Sequence, residues 1–361
     1  MSKKDEAKPG LFGLKNTNRN FTKPESWGKN QFNNSFPASL ACYMGSKKLE
    51  GVYLHLDDDL CVAKRPITIE TLFGLKELSD NLHFNFESVY APYGPLAVDN
   101  IPRVDLVTVD ISSKPFRLLR PIEIKLTALP DNTTAHLTEN KYGSEIVVRP
   151  DTIVYLGLSI AFIYLEERDK LKSFLDPVCG RIADWEDPEE IYPLINSIAD
   201  ALDGVLAAKL ENQSSLIMQP VWKTKPSTNT GELADQCFDL FIWSDFGFTR
   251  LFIDAARKGG NKITRHARTA VWLAKMLYDF AGEGRFDHKQ IIDKLSYNTK
   301  NDKAFAVSGT GTNSYMSCDE LTRPRVPKEA VKEIILGGGQ NHLSPERRLD
   351  AAILSTPGLF D

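Results

Sequence analysis

Two strand-like segments decide the fold of this chain: VDLVTVDI at residues 104–111 and FRLLRPIEIKL at residues 116–126, joined by SSKP at residues 112–115. Both segments are rich in β-branched and aliphatic residues, whereas the polar link that ends in proline is typical of a turn. The pattern therefore predicts an antiparallel β-hairpin.

Polar side chains occupy one face of the second predicted strand. Because side chains alternate along a strand, Ile122, Ile124 and Leu126 share one face, and Glu123 and Lys125 share the other. An acid and an amine are thus expected side by side on the polar face.

The first predicted strand supplies a second carboxylate. If the hairpin turns near residue 114, Asp105 lies opposite or diagonal to Glu123, since the two positions are symmetrical about that residue. Asp110 has the opposite parity and lies nearer the turn. The hairpin therefore favours Asp105 as the partner of Glu123.

Two carboxylates and an amine in this arrangement suit metal-dependent phosphodiester hydrolysis. Carboxylate oxygens of Asp105 and Glu123, with the carbonyl of Ile124, are hard ligands of the kind that Mg²⁺ prefers. Lys125 could orient a water molecule, take its proton, or stabilise charge on the phosphate. The residues predicted to be catalytic are Asp105, Glu123 and Lys125. The alternative is a salt-bridged polar face without a catalytic role.

The run from Pro102 to Lys125 resembles the PD-(D/E)xK nuclease signature. In that signature the aspartate usually follows a proline directly, whereas here two residues intervene between Pro102 and Asp105. The departure leaves Asp99 and Asp110 open as alternatives. One further acid could join the site, from the set Glu70, Glu77 and Glu87.

Two N-terminal segments carry a more specific resemblance. KPGLFGLKN at residues 8–16, SWGKNQFN at residues 26–33 and the length of the whole chain resemble the HindVP family of type II restriction endonucleases. The resemblance implies a Mg²⁺-dependent homodimer that cuts palindromic double-stranded DNA, with GRCGYC as the expected site and 5′-phosphate ends. It also implies a cognate DNA methyltransferase as a genetic partner.

Composition sets broad limits on the class of protein. The chain has 361 residues, of which 42% are hydrophobic and 25% charged, as in ordinary globular proteins. Its five cysteines and six histidines are dispersed, which argues against a zinc site or a disulfide framework. No apolar stretch is long enough to span a membrane, and no secretory signal is recognisable, so we expect a cytoplasmic protein.

The expected fold is α/β: a central mixed β-sheet flanked by helices, a restriction-endonuclease-like core with helical additions. We expect an irregular arm at residues 1–37, a catalytic core at 38–260, and a mainly helical region at 261–361 that contacts DNA. Apolar periodicity predicts helices at 72–82, 151–174, 191–210, 261–280 and 287–295. It predicts further strands at 145–149, 219–225 and 236–243.

A basic stretch provides candidate phosphate contacts. From Arg250 to Lys275 seven basic residues stand against one acid. Arg265, Arg268, Trp272 and Lys275 recur at spacings of three, four and three, which places them on one helical face. That face could follow DNA phosphates, or it could be an ordinary solvated surface.

Candidates for base recognition lie near the C-terminus. Arginine pairs with guanine through two hydrogen bonds in the major groove, and a proline stiffens the segment around its two neighbouring arginines. Flexible glycines precede a pair of amides. The predicted base-reading residues are Arg323, Arg325, Gln340 and Asn341.

Two other functions fit the same residues. One is a structure-specific repair or junction-resolving nuclease of the same superfamily, which would recognise DNA shape. The other is a DNA-binding regulator without catalysis, in which Glu123 and Lys125 only stabilise the hairpin.

Overall fold

The computed structural model describes residues 45, 48, 50–77, 81–125, 127–130, 146–224, 236–259, 263–297, 306–307 and 326–327. The arm predicted at residues 1–37 lies outside this part of the chain.

A mixed β-sheet forms the centre of the described protein. Seven strands follow one another in the order β2-β1-β9-β8-β5-β4-β3, β6 pairs with β8 and β11 pairs with β9, while β7 and β10 form a separate pair. The strands are β1 Gly51–Leu56, β2 Val62–Ile67, β3 Leu82–Ser88, β4 Val104–Asp110, β5 Arg117–Ile124, β6 Thr127–Pro130, β7 Ile146–Val147, β8 Ser215–Thr224, β9 Gln236–Ser244, β10 Ala306–Val307 and β11 Val326–Pro327.

Helices flank this sheet, which confirms the predicted α/β fold. They are α1 Ile69–Phe73, α2 Pro150–Ile163, α3 Arg168–Cys179, α4 Pro188–Ile191, α5 Ile195–Ala207, α6 Asp245–Arg257, α7 Arg265–Glu283 and α8 His288–Lys294. Helices α2, α3, α5, α6 and α7 pack on one another and against one face of the sheet, forming one apolar core. None of the helices in the described ranges is long and apolar enough to cross a bilayer.

The helix predicted over residues 72–82 is wrong in its extent. Helix α1 ends at Phe73 because Gly74 adopts the left-handed conformation, with a φ of 79°. At Leu82 the chain is already in β3, where buried Leu82 and Phe84 alternate with exposed neighbours. The evenly spaced leucines therefore belong to two different elements. Strands β1, β2, β3, β6, β10 and β11 and helices α4 and α6 were not predicted, and the helix predicted over residues 151–174 is two helices, α2 and α3.

The hairpin of β4 and β5 has the register that the sequence predicts. Strands β4 and β5 are antiparallel, with Leu106 opposite Ile122 and Thr108 opposite Arg120. Continuing this register by one residue places Asp105 opposite Glu123, and residues opposite each other share a face.

The chain returns to the hairpin through the helical layer. After β5 it passes through helices α2 to α5 and enters β8, which runs parallel to β5 with Glu123 beside Ile217. Ile217 and Val107 are buried in the core between sheet and helices. Because Glu123 lies beside Ile217, and Asp105 has the parity of Val107, both carboxylates face the helical layer.

A buried aspartate connects the helical layer to the sheet through hydrogen bonds. Asp245, at the start of α6, is fully buried and accepts hydrogen bonds from the Ser159 hydroxyl (2.6 Å), from the backbone N–H (3.0 Å) and hydroxyl (3.1 Å) of Ser214, and from the Phe246 N–H (2.8 Å). Burial raises the pKa of this carboxyl. Asp245 thus joins α2, α6 and the segment that enters β8.

We expect Asp245→Ala to lower the free energy of unfolding by about 3 kcal/mol, because it leaves several buried donors without their acceptor. Asp287→Ala is the matched control: Asp287 accepts one hydrogen bond, from the Gln290 N–H at the start of α8 (3.0 Å), and its loss should cost about 1 kcal/mol. Urea unfolding at pH 7 measures both. An equal loss in the two variants would contradict the proposed connecting role.

Candidate active site

The three residues predicted to be catalytic meet at one end of the hairpin. Glu123 is buried, with 7% of its surface exposed, and its Oε1 accepts a hydrogen bond from the Lys125 ammonium at 2.5 Å. Asp105 Oδ2 accepts the backbone N–H of Ile124 at 2.8 Å. Asp105 and Lys125 remain partly exposed. The structure thus brings together two carboxylates and an amine at a place that solvent can reach.

The backbone of Ile124 also faces this site. The Lys125 N–H bonds the Met218 carbonyl of β8 at 2.9 Å, whereas the Ile124 N–H bonds Asp105 on the β4 side. Backbone groups of successive strand residues point to opposite neighbours, so the Ile124 carbonyl lies on the same side as Asp105. An uncharged oxygen donor therefore accompanies the carboxylates.

The electrostatics of the site are unfavourable for two free carboxylates. Burial, with the negative charge of Glu123, raises the pKa of Asp105 to about 6, against the opposing effects of Lys125, the Ile124 N–H and Arg149. A raised pKa means that the folded protein resists ionisation of Asp105. A cation between the two carboxylates would relieve this cost.

The donor set fits a hard divalent ion that keeps part of its water shell. Two carboxylates and a carbonyl supply oxygen ligands only, which suits Mg²⁺ better than zinc. In the described part of the chain no group of three or more His, Cys, Asp or Glu side chains could hold a metal. A third acid from Glu70, Glu77 or Glu87 therefore does not complete such a group.

The two alternative aspartates lie apart from Glu123. Asp110 is at the far end of the hairpin, where it pairs with Arg117 at 3.0 Å. Asp99 pairs with Lys289 of α8 at 3.1 Å. Asp105 is the predicted aspartate that the register places opposite Glu123.

An arginine at the site, and a second one close to Asp105 in sequence, escaped the sequence analysis. Arg149 directly precedes α2, is exposed, and lies close enough to Asp105 for its charge to lower the pKa of that carboxyl. Arg103, two residues before Asp105, is exposed as well. The signal that could have revealed Arg149 was its position just before the helix that returns the chain to the hairpin.

The basic face predicted on α7 is not a uniform exposed surface. Arg268 is only 2% exposed, its Nη1 donates to the Ser296 carbonyl at 3.0 Å, and its guanidinium lies 5.5 Å from the Trp272 ring centroid. Trp272 is also buried and donates to the Leu295 carbonyl. The expectation that these two side chains face solvent is wrong, because the segment that follows α8 covers this side of the helix.

The other two members of that face differ from each other. Lys275 is half-buried, pairs with Asp279 at 2.5 Å and lies 5.4 Å from the Trp185 ring centroid. Arg265 is exposed at the first turn of α7. Arg265 is therefore the member of the set best placed to meet a phosphate.

Ion pairs also account for part of the basic stretch. Arg250 and Arg257 of α6 both pair with Asp203 of α5 at 2.6 Å, and Arg257 also pairs with Asp200 at 2.6 Å. These arginines join two helices. The four predicted base-reading residues, Arg323, Arg325, Gln340 and Asn341, lie outside the described residues.

Comparisons with known proteins point in one direction. A family model described as HindVP restriction endonuclease matches residues 27–360. The chain is 46% identical over 354 residues to the type II restriction enzyme HgiDI of Herpetosiphon aurantiacus, covering 98% of this chain and 97% of that protein. It is 42% identical over 356 residues to the probable type II restriction enzyme HindVP of Haemophilus influenzae, covering 98% and 95%. No solved structure matches the chain.

We expect Asp105→Asn to stabilise the metal-free protein at neutral pH. Since the folded-state pKa of Asp105 is raised to about 6, the wild type loses stability as the pH rises from about 4 through 6, a loss that asparagine avoids. The gain in Tm should be small at pH 4.5 and on the order of a few degrees above pH 7. Thermal melts of both proteins in EDTA across this pH range measure the gain in Tm. A gain in Tm that shrinks as the pH rises would contradict the prediction.

We expect Arg268→Ala to destabilise the protein by about 2 kcal/mol, because it removes a buried hydrogen bond and the contact with Trp272. Arg265→Ala, one turn earlier and exposed, should change stability by less than about 0.5 kcal/mol. Urea unfolding compares the two variants. Equal stabilities would show that Arg268 is not part of the core.

Proposed function

The chain belongs to the HindVP restriction endonuclease family, and from this membership we propose that it is a type II enzyme that hydrolyses double-stranded DNA. We propose further that the reaction uses Mg²⁺ and takes place at Asp105, Glu123 and Lys125. The family assignment confirms the resemblance inferred from the sequence. The observation that carries the proposed site is the convergence of two carboxylates and an ammonium from neighbouring strand positions.

Each residue of the site has a distinct role in this proposal. Asp105, Glu123 and the Ile124 carbonyl hold the ion, which when bound polarises the scissile phosphate and makes a water molecule more acidic. Lys125 places a positive charge beside Glu123, where it can orient the attacking water or stabilise charge that develops on the phosphate. The sequence motif corresponds in this reading to a PD-(D/E)xK site.

Positive charge at the rim supports a polyanionic substrate. Arg103 and Arg149 are exposed near Asp105, and Arg265 is exposed on α7. We assign phosphate contacts to Arg265 and Lys275, whereas the buried Arg268 supports the helix that carries them. Base recognition is assigned to Arg323, Arg325, Gln340 and Asn341.

The proposed target is the palindrome GRCGYC, on the strength of the family. A palindrome matches a twofold dimer in which each protomer cuts one strand, so we propose a homodimer. A cognate methyltransferase would protect the same site in the host.

Digestion of plasmid DNA in Mg²⁺ or EDTA, followed by end sequencing, tests the function. We expect discrete fragments with 5′-phosphate ends at GRCGYC in Mg²⁺ alone. Preference for branched DNA would instead indicate a junction-resolving or repair nuclease. Intact plasmid with a retained gel shift would indicate a regulator.

We expect Asp105→Ala, Glu123→Ala and Lys125→Met each to reduce the cleavage rate by at least about 100-fold, because each removes a group that acts on the reacting phosphate or its ion. Gel shifts in Ca²⁺ should show DNA affinity within about 3-fold of wild type, since most affinity comes from phosphate contacts elsewhere.

Asp110→Ala is the matched control for these variants. Asp110 lies on the same strand as Asp105 but pairs with Arg117 at the far end of the hairpin, so cleavage should stay within about 2-fold of wild type. Full activity in Asp105→Ala, or its loss in Asp110→Ala alone, would move the site elsewhere.

A further inference from the structure

A buried tyrosine hydroxyl holds the segment that leads into Asp105. Tyr155, on α2, is fully buried, and its hydroxyl donates to the Pro102 carbonyl at 2.5 Å. Pro102 precedes Asp105 by three residues. A helix of the core is thus tied directly to the start of β4.

A second tyrosine holds the other strand of the hairpin. The Tyr90 hydroxyl donates to the Leu119 carbonyl at 3.1 Å, four residues before Glu123. The strand that carries each carboxylate is therefore bonded, a few residues upstream, to a tyrosine hydroxyl.

The rings that carry these hydroxyls are packed together. Tyr93 lies between the other two, with ring centroids 4.8 Å from Tyr90 and 6.2 Å from Tyr155. Burial, and then the charges of Glu123 and Asp151, raise the pKa of Tyr155. We call Tyr90, Tyr93 and Tyr155 the tyrosine cluster.

On the β5 side, the ladder of β4 does not extend to Asp105. The paired register of the two strands begins at Leu106 opposite Ile122. Beyond that pair, the contact from Asp105 to β5 is its own carboxylate bond to the Ile124 N–H. On its other side β4 pairs with β3 as far as Val104, which lies opposite Ser88. Metal sites tolerate errors of only about 0.5 Å in ligand position, so contacts that also fix Pro102, before this pairing begins, and β5 bear on the geometry of the site.

We propose that Tyr155 and Tyr90 are positioning residues that hold Asp105 and Glu123 at the separation at which both carboxylates bind one divalent ion. The inference rests on the proposed function of the carboxylate site. The two hydroxyls act through the Pro102 and Leu119 carbonyls and touch neither substrate nor ion.

The chain offers a matched control for the loss of the Tyr155 hydroxyl. Tyr164, at the C-terminal end of α2, is also fully buried, and its hydroxyl donates to a backbone carbonyl, that of Val205, at 2.7 Å. Tyr155→Phe and Tyr164→Phe make the same chemical change on the same helix. Only the first releases a segment that leads to a carboxylate of the site.

The experiment measures metal binding and cleavage in the full-length protein. Mn²⁺ affinity is titrated by electron paramagnetic resonance on metal-stripped protein, and single-turnover cleavage is followed against Mg²⁺ concentration. For Tyr155→Phe we expect Mn²⁺ affinity and the Mg²⁺ concentration at half-maximal rate to worsen by roughly 10-fold, as for other residues that orient metal ligands. For Tyr164→Phe we expect changes under about 2-fold, with a similar drop in Tm.

Equal metal affinity in the two variants would overturn the proposal, because the hydroxyl would then serve stability alone. Tyr90→Phe is a second test variant, for which we expect the same loss of Mn²⁺ affinity. If Tyr155→Phe does not unfold cooperatively, Tyr90→Phe is compared with Tyr164→Phe instead.

Asp105→Ala distinguishes a failure of the positioning role from a failure of the proposed metal site. If Asp105→Ala binds Mn²⁺ like the wild type, the proposed carboxylate site itself fails; if only Asp105→Ala loses binding, the positioning role alone fails.

Discussion

The structure depends on holding two carboxylates opposite each other, Glu123 buried and Asp105 only partly exposed. This arrangement is costly for Asp105, since burial and the negative charge of Glu123 raise the pKa of its carboxyl. The Ile124 N–H and the Lys125 ammonium offset part of the cost. A position that sacrifices stability in this way is typical of a functional site.

The surrounding strands and helices position these two carboxylates. The hairpin sets the carboxylates on one face, and the parallel pairing of Glu123 with Ile217 of β8 turns this face toward the helices. Helix α2 carries Tyr155, whose hydroxyl bonds the segment before Asp105, and Arg149 directly precedes this helix at the rim of the site. Asp245 connects the same helix to α6. The core therefore supports the site from behind and leaves its outer edge open to solvent.

The sequence predicted the position of Asp105 opposite Glu123 better than the surroundings of these residues, because that position depends on local strand pairing. Alternation and a short turn suffice to place Asp105 opposite Glu123. The environment of Arg268 could not be predicted in this way, since its cover is the Ser296 carbonyl 28 residues later, beyond another helix. The same holds for Tyr155 on the predicted helix over residues 151–174, since its partner, Pro102, lies 53 residues away in sequence.

Anomalous diffraction from crystals of a protein–DNA complex grown with Mn²⁺ tests the central claim most directly. The expected result is an anomalous peak at metal–oxygen distance, roughly 2.0–2.6 Å, from carboxylate oxygens of both Asp105 and Glu123, beside a DNA phosphate. A peak bound by other residues, with these two carboxylates free of metal, would contradict the claim that this hairpin is the catalytic centre.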